Sequence, residues 1–326
     1  MNREELDVIL DGRRIVVSVS GGKDSTACCL HLMEMGYEQH EFDRIFFDTG
    51  WEHPLLYEYV RDDLPGVVGP IENLHAEIEL DEDLVPIAEK FEEQLGVPYS
   101  SMVRLVLRKG MFPSRQKRWC TDWLKVRVSQ KYFKDSDIPM VNVVGIRAEE
   151  SKARALMTEW EFAPKWDLDV WRPLIDWKTE QVIDIHQRNG VKPCRLYLEQ
   201  NAERVGCYPC IYSRKAEIRE MSDYTPGRID IIEQLEEVVR GLAEKRYAAQ
   251  GETFESLDMA HPGWFQTPRR TIKADGTTSG ECWPIRKVVS WSRTTRGGNM
   301  DQLELFTDPL GHQGCVRWGM CDTGTK

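Results

Sequence analysis

Arg13-Arg14-Ile15-Val16-Val17-Ser18-Val19-Ser20-Gly21-Gly22-Lys23-Asp24-Ser25 is the stretch on which the fold turns. A β-branched run that ends in paired glycines predicts a buried strand entering a turn. Over residues 24–35 apolar side chains return at helical spacing (Ala27, Leu30 and Met33; Cys28, Leu32 and Met35), and Gly36 stops the pattern. Strand, glycine turn and helix in that order present free backbone N–H groups and a helix N-terminus to an anion. Gly21 and Gly22 permit close approach to a phosphate, Lys23 adds a point charge, and the Ser20 and Ser25 hydroxyls can donate. The spacing is not that of a Walker loop, because Val17 stands five before Gly22 and Asp24 follows the lysine.

Working outward, Arg44-Ile45-Phe46-Phe47-Asp48-Thr49-Gly50 repeats the strand-to-glycine pattern, and a helix is predicted from residue 53. Further strands are predicted near 73–80, 140–146 and 169–174, and helices over 82–95, 99–108, 120–133 and 178–187. Strands alternating with helices imply an α/β fold with a doubly wound parallel sheet covered on both faces. In such sheets the end of the second strand, at Asp48 and Thr49, lies where ligands bind. The character changes near residue 222. One amphipathic helix over 229–249 precedes a Gly-, Thr- and Trp-rich tail of little periodicity. The chain is therefore divided into a nucleotide-binding domain at 1–221 and an irregular C-terminal extension at 222–326, to which substrate choice is assigned.

The 326 residues are 41% hydrophobic and 30% charged, with a net charge of −11. No apolar run approaches the roughly 18 residues of a membrane span, and the charged N-terminus lacks a secretory core. A cytoplasmic protein without a membrane partner is the expectation. The acidic total argues against coating by nucleic acid, but the charge is uneven. Residues 104–131 carry nine basic residues against one acid, and residues 269–296 carry seven against two. These basic segments, with Trp264, Trp283, Trp291 and Trp318 in or near the second, are candidate contacts for nucleic acid.

Nine cysteines in a reducing compartment point to metal or sulfur chemistry. Gly206-Cys207-Tyr208-Pro209-Cys210 is a C-x-x-C shaped by glycine and proline, which suits two thiolates meeting one metal centre. Cys194 lies in a turn just upstream. Cys120 opens a predicted helix in the basic segment, where its thiolate is favoured. Four such thiolates can hold a [4Fe-4S] cluster or a zinc ion, and a redox-active dithiol is the remaining reading. Cys28 and Cys29 are predicted core residues, while Cys282, Cys315 and Cys321 stay open between persulfide relay and no role. His53, His75, His186 and His261 share no metal spacing and are read as structural or capping.

The hexapeptide at Ser20 to Ser25 resembles the PP-loop of the ATP pyrophosphatase superfamily. Within it, Asp48-Thr49-Gly50-Trp51-Glu52-His53-Pro54 resembles the DTG…P stretch of the phosphoadenosine phosphosulfate (PAPS) reductase family. Arg118-Trp119-Cys120-Thr121-Asp122-Trp123-Leu124-Lys125 resembles that family's cysteine–lysine helix. Gly145-Ile146-Arg147-Ala148-Glu149-Glu150-Ser151-Lys152-Ala153-Arg154 resembles its G-x-R-x-x-E-S-x-x-R pattern. The likeness covers about residues 13–218. It implies ATP as cofactor, held by Ser20 to Ser25, Asp48, Thr49, Gly145, Arg147, Ser151 and Arg154. Arg147 and Arg154 would grip phosphate or sulfate oxygens, and Asp24 or Asp48 would hold Mg²⁺.

Two departures separate the chain from the reductases themselves. The C-terminal E-C-G-[IL]-H nucleophile is missing, since Glu281-Cys282 runs into Trp283-Pro284 and Cys315 is followed by Val316. Cys120 also stands alone where iron–sulfur reductases carry adjacent cysteines. The cysteine set is similar to that of the sulfurtransferase family of bacterial DNA phosphorothioation. The expected function is an ATP-dependent, adenylylating iron–sulfur sulfurtransferase on a nucleic acid. Lys23, Asp24 and Arg147 would serve catalysis, and Cys120, Cys194, Cys207 and Cys210 would bind the metal centre. A cysteine desulfurase or thioredoxin-like protein would be the sulfur or electron donor. The alternatives are a PAPS or adenosine phosphosulfate reductase releasing sulfite, and a non-catalytic nucleotide-binding subunit of a modification or defence assembly.

Overall fold

The computed structural model describes residues 2–164, 167–200, 202–257, 261–272, 278–294 and Trp318. Helix α1 (Arg3–Leu10) opens on a capping box between Asn2 and Glu5, and strand β1 (Arg14–Val19) follows. Next come α2 (Lys23–Glu34), β2 (Phe42–Asp48), α3 (Pro54–Glu58), α4 (Pro65–Val68) and β3 (Glu72–His75). A π-helical turn at Tyr59–Asp63 joins α3 to α4. Helices α5 (Val85–Leu95) and α6 (Ser101–Lys109) precede a longer helix that begins as α7 (Trp119–Thr121) and ends as α8 (Arg127–Lys134). Between them, residues Asp122–Val126 form a second π-helical segment. The chain continues through β4 (Met140–Val143), β5 (Trp160–Ala163), β6 (Leu168–Trp171), α9 (Thr179–Arg188) and α10 (Arg195–Glu199). It then runs through α11 (Lys215–Tyr224), α12 (Pro226–Ala248), β7 (Gln266–Ile272), β8 (Thr278–Cys282) and α13 (Ile285–Ser292).

The six-stranded sheet has the order β3-β2-β1-β4-β6-β5. All pairings are parallel except β5 with β6. The doubly wound parallel sheet expected from the sequence is thus present, with one antiparallel edge strand that was not expected. Trp160-Glu161-Phe162-Ala163 alternates over four residues only, too short a run to separate from a loop. The sheet reverses its winding between β1 and β4. A crevice therefore opens at the carboxyl ends of those two strands, the place where such sheets bind ligands.

Two apolar cores flank this arrangement. The first joins β1, α2, α9 and α10, with Cys28 and Cys29 fully buried in it as expected. The second gathers α5, α6, α11, α12 and α13 around Trp51 and Trp264, whose rings stack at 4.6 Å. It takes residues from both sides of residue 221. The C-terminal region carries more regular structure than its sequence signalled, a β7–β8 hairpin and α13. Gln266-Thr267-Pro268-Arg269-Arg270-Thr271-Ile272 contains a proline and little apolar alternation, which hid the strand. Among the described residues no helix is long and apolar enough to cross a membrane.

Glu236 on α12 fastens this second core. Its carboxylate, 7% exposed, accepts from the backbone N–H groups of Trp264 and Ile285, each at 2.9 Å. Glu236→Ala leaves both donors buried without an acceptor. It is expected to cost about 3 kcal/mol at roughly 1–3 kcal/mol per orphaned group, read as a lowered denaturant midpoint.

Candidate functional site

The phosphate loop forms where the sequence places it. Gly21 turns the chain with φ +68°, a conformation that L side chains rarely adopt, and Gly22 is the N-cap of α2. The Ser25 hydroxyl donates to the Gly22 carbonyl and accepts from the Ser20 backbone N–H, both at 3.0 Å. Lys23 N–H donates to the Tyr197 hydroxyl at 3.4 Å, and the Lys23 ammonium lies 5.5 Å from the centre of that ring. Asp24 stands between two cations, with Lys23 Nζ at 3.1 Å and Arg147 Nε at 2.6 Å.

Arg147 is 3% exposed and also pairs with Glu149 and Thr179. Burial alone would lower its pKa, but the Asp24 and Glu149 carboxylates outweigh that and raise it. Arg147 therefore holds Asp24 and the first turn of α2 in place rather than standing free. Gly145 follows β4 and packs on the same turn, since a Cβ there would lie 2.7 Å from the Asp24 carbonyl carbon and 2.8 Å from Ser25 N. Gly145→Ala must push the loop aside and, for the ATP site expected from the sequence, should weaken binding at least tenfold, read by calorimetry. Ser151 and Arg154 lie on an exposed turn. Arg154 pairs with Glu150 there, and neither residue makes a hydrogen bond or ion pair with the loop among the described residues.

The end of β2 carries a network of buried polar groups. Asp48 Oδ1 accepts from Gly50 N–H at 2.7 Å and from the Tyr57 hydroxyl at 2.8 Å. Glu52, 2% exposed, accepts from the Thr49 hydroxyl at 2.7 Å and lies 2.9 Å from the same Tyr57 oxygen. One phenolic proton cannot serve both carboxylates at once. Burial, followed by the Glu52 charge, raises the Asp48 pKa.

This segment is joined directly to the C-x-x-C. Glu52 and Cys207 form an antiparallel bridge, and Tyr208 N–H donates to Trp51 C=O at 2.8 Å. The Cys207 thiol donates to Glu52 Oε1 at 3.8 Å, and its sulfur lies 4.0 Å from Thr49 Oγ1. Arg228 of α12 closes the junction from behind, donating to Glu52 C=O at 2.9 Å. His53 caps α3 through Nδ1, which accepts from Leu55 N–H at 3.0 Å. That bond leaves the ring proton on Nε2, which is buried and has no acceptor among the described residues. Burial lowers the His53 pKa to about 4.

Three of the four cysteines expected at the metal centre share one neighbourhood. Burial pushes the Cys207 thiol up to about 12 and also raises Cys120. The Cys210 charge raises the pKa of both Cys120 and Cys207, and Cys120 adds to the rise at Cys207. Lys125, one turn beyond Cys120, is raised first by Cys207 and also by Glu52, Cys210 and Cys120. A cavity of about 230 Å³ opens beside them, lined by Lys125, Arg204, Cys207, Cys210 and His53 among others. Val205 in its wall lies within 3.6 Å of where a Cβ on Gly22 would stand, so one residue of the cavity wall packs against the phosphate loop.

Cys194 is elsewhere, contrary to its expected role as a ligand. It is fully buried at the N-cap of α10, with its thiol 3.8 Å from the Leu55 carbonyl, because the Pro193 turn aims it under that helix into the first core. Cys282 sits at the end of β8 beside Gly263. Cys315 and Cys321 lie outside the described residues.

A zinc ion needs thiolates at about 2.3 Å from the metal, and among the described residues no three Cys, His, Asp or Glu are placed to hold a metal ion. A [4Fe-4S] cluster spreads its ligands over several irons and does not need sulfurs so close. Cys120, Cys207 and Cys210 are thiols of the donor type such a cluster takes and share one neighbourhood, with Lys125 to offset negative charge and His53 Nε2–H, which has no acceptor among the described residues, beside Cys207 and Cys210.

Sequence reasoning did not single out Glu52, Lys125, Tyr197 or Arg228 as site residues. Only Glu52 and Lys125 left a signal, lying inside motifs that were quoted for other residues. Trp318, read as a residue near the basic tail, is 3% exposed and packs on His186 and Tyr197, at 5.3 and 5.8 Å between ring centres.

The sequence profile described as "Phosphoadenosine phosphosulfate reductase domain" matches residues 14–213. The chain is similar to an "Uncharacterized 37.8 kDa protein in gpa 5'region" of Escherichia phage 186. The two are 29% identical over 342 residues, covering 94% of this chain and 96% of that one. It is also similar to an "Uncharacterized nin region protein ORF290" of Escherichia phage lambda, at 28% identity over 59% of this chain and 68% of that one. Among solved structures, PAPS reductase from Candida auris aligns at 16% identity and a TM-score of 0.46, over 64% of this chain and 90% of its own. The U34-tRNA thiolase NcsA from Methanococcus maripaludis, solved with its [4Fe-4S] cluster, aligns at 14% identity and a TM-score of 0.31, over 70% and 73%.

Proposed function

The chain belongs to the phosphoadenosine phosphosulfate reductase family, and from that premise we propose that it is an ATP-dependent, adenylylating sulfurtransferase acting on a nucleic acid. One observation carries the reading. The nucleotide-facing end of β2 and the C-x-x-C are bonded to each other, with Thr49 Oγ1 4.0 Å from Cys207 Sγ. A thiol centre built against a nucleotide crevice serves a reaction in which an activated group meets sulfur.

In the first step an acceptor oxygen attacks the α-phosphorus of ATP, and the bond to pyrophosphate breaks. The loop N–H groups and Lys23 hold the departing pyrophosphate, which is electrostatic stabilisation of developing charge. Asp24, fixed by Arg147, keeps the Lys23 ammonium at the loop. Mg²⁺, which favours carboxylate and phosphate oxygens, would be held between the nucleotide and Asp48. In the second step sulfur replaces the adenylylated oxygen, which leaves with AMP. When bound at Cys120, Cys207 and Cys210, a [4Fe-4S] cluster supplies an iron site with affinity for sulfide. Lys125 and His53 Nε2–H offer the positive charge and the donor that an anionic sulfur requires. A persulfide donor such as a cysteine desulfurase leaves its carrier sulfur oxidised, so a thioredoxin-like dithiol would complete the cycle.

The test is to incubate the protein, purified without oxygen, with ATP, sulfide and nucleic acid, and to measure AMP and nucleic-acid-bound sulfur. Formation of both, each dependent on the other substrates, supports the reading. Sulfite release from a phosphosulfate without ATP would replace it with the reductase. ATP binding without turnover would replace it with a non-catalytic subunit.

A further inference from the structure

We infer that the face formed by the end of α6, the loop after it and the Trp119–Lys134 helix binds single-stranded nucleic acid beside the thiol centre. This rests on the nucleic-acid acceptor proposed above and gives it a place and a strand form. Two half-buried rings organise the face. Trp123 has Arg127 at 4.1 Å, Lys109 at 4.7 Å and Arg108 at 5.7 Å from its ring centre. Tyr212 has Arg118 at 5.3 Å and Arg115 at 5.5 Å, and its hydroxyl donates to the Arg115 carbonyl at 3.4 Å. Of these five cations only Arg127 has a carboxylate partner among the described residues, Asp122 at 3.0 Å.

Like charges gathered on two rings with almost no counter-charge repel one another, and a run of phosphates relieves that repulsion. Guanidinium planes over aromatic faces also form a flat surface that the face of an unpaired base extends. A lipid headgroup or an acidic peptide offers negative charge without that flat face. In a duplex the base faces are already stacked on one another, so the rings select an open strand. With a net charge of −11 the chain as a whole repels a polyanion, so binding depends on a local basic patch such as this one. Its position suits the proposed reaction, because Arg118 lies two residues before Cys120 and Tyr212 two residues after Cys210. A strand held here has its bases or backbone next to the thiols.

The test is fluorescence anisotropy with the full chain and a short labelled strand, against the duplex of the same sequence and phosphatidylserine vesicles. The single strand is expected to bind at least tenfold more tightly than the duplex. Tyr212→Leu should weaken it about tenfold, the range for losing one stacked base, and Tyr212→Phe should restore it. Arg115→Ala with Arg118→Ala should lower the slope of log affinity against log salt by about 1.4, at ~0.7 for each lost phosphate contact on a single strand. Lys117→Glu, on the exposed loop, reads the same electrostatics without touching a ring and should weaken binding several-fold. Equal binding of strand and duplex, wild-type affinity in these variants, or Tyr212-dependent binding to the vesicles would overturn the inference.

The two readings fail separately. Sulfur transfer that is unchanged in Tyr212→Leu at limiting strand concentration removes this surface and leaves the activity. Strand binding as described, with no AMP formed from ATP by any nucleic acid, removes the activity and leaves the surface.

Discussion

Lys23→Ala should cut ATP-dependent release of pyrophosphate by about 10²–10³-fold, the usual effect of deleting one donor aimed at developing charge. The fold should survive, because Asp24 keeps its 2.6 Å contact with Arg147 and Ser25 still ties the loop together. Iron content should be that of the wild type, since Lys23 touches none of the three thiols. Rapid-quench measurement of pyrophosphate together with an iron assay checks both halves. Wild-type pyrophosphate release would remove Lys23 from the first step. Lost iron would show that the loop and the thiol centre are one structural unit.

The second large effect is the converse. Cys207→Ser with Cys210→Ser should empty the protein of iron and reduce sulfur transfer to background, while ATP binding stays within about twofold. The separation is expected because the proposed ATP site draws its phosphate contacts from the loop at the end of β1, whereas Cys207 meets the Glu52 carboxylate and lies against only one residue assigned to that site, Thr49. Cys194→Ser should retain its iron, because that thiol sits under α10 against Leu55. Iron lost from Cys194→Ser to the same extent as from the C-x-x-C variant would mean that all four cysteines are ligands after all.

That contrast shows what the sequence made legible and what it did not. Ser20 to Ser25 could be read because strand, turn and helix are consecutive, so local chemistry alone builds the loop. Cys207 and Cys210 could be read for the same reason, two thiols on one turn. Cys194 was misplaced because twelve residues of chain separate it from Cys207, and α10 turns its side chain into a different core. The pairing of Arg147 with Asp24 went unread for a related reason. A strand-end arginine reads as an anion ligand, but its partner Asp24 lies 123 positions away in the chain and only folding brings the two together. Arg228 and Tyr197 carry no local signal at all. Their roles come from long-range packing against Trp51 and Lys23, which periodicity does not record.

The most direct test of the central claim is a stoichiometry. Protein prepared without oxygen would be incubated with single-stranded nucleic acid, radiolabelled sulfide and ATP, and AMP counted against sulfur bound to the purified nucleic acid. The account predicts one AMP per sulfur, and about 10²–10³-fold slower formation of both by Lys23→Ala protein. Sulfur appearing on the nucleic acid without ATP, or AMP formed with no sulfur incorporated, would contradict it.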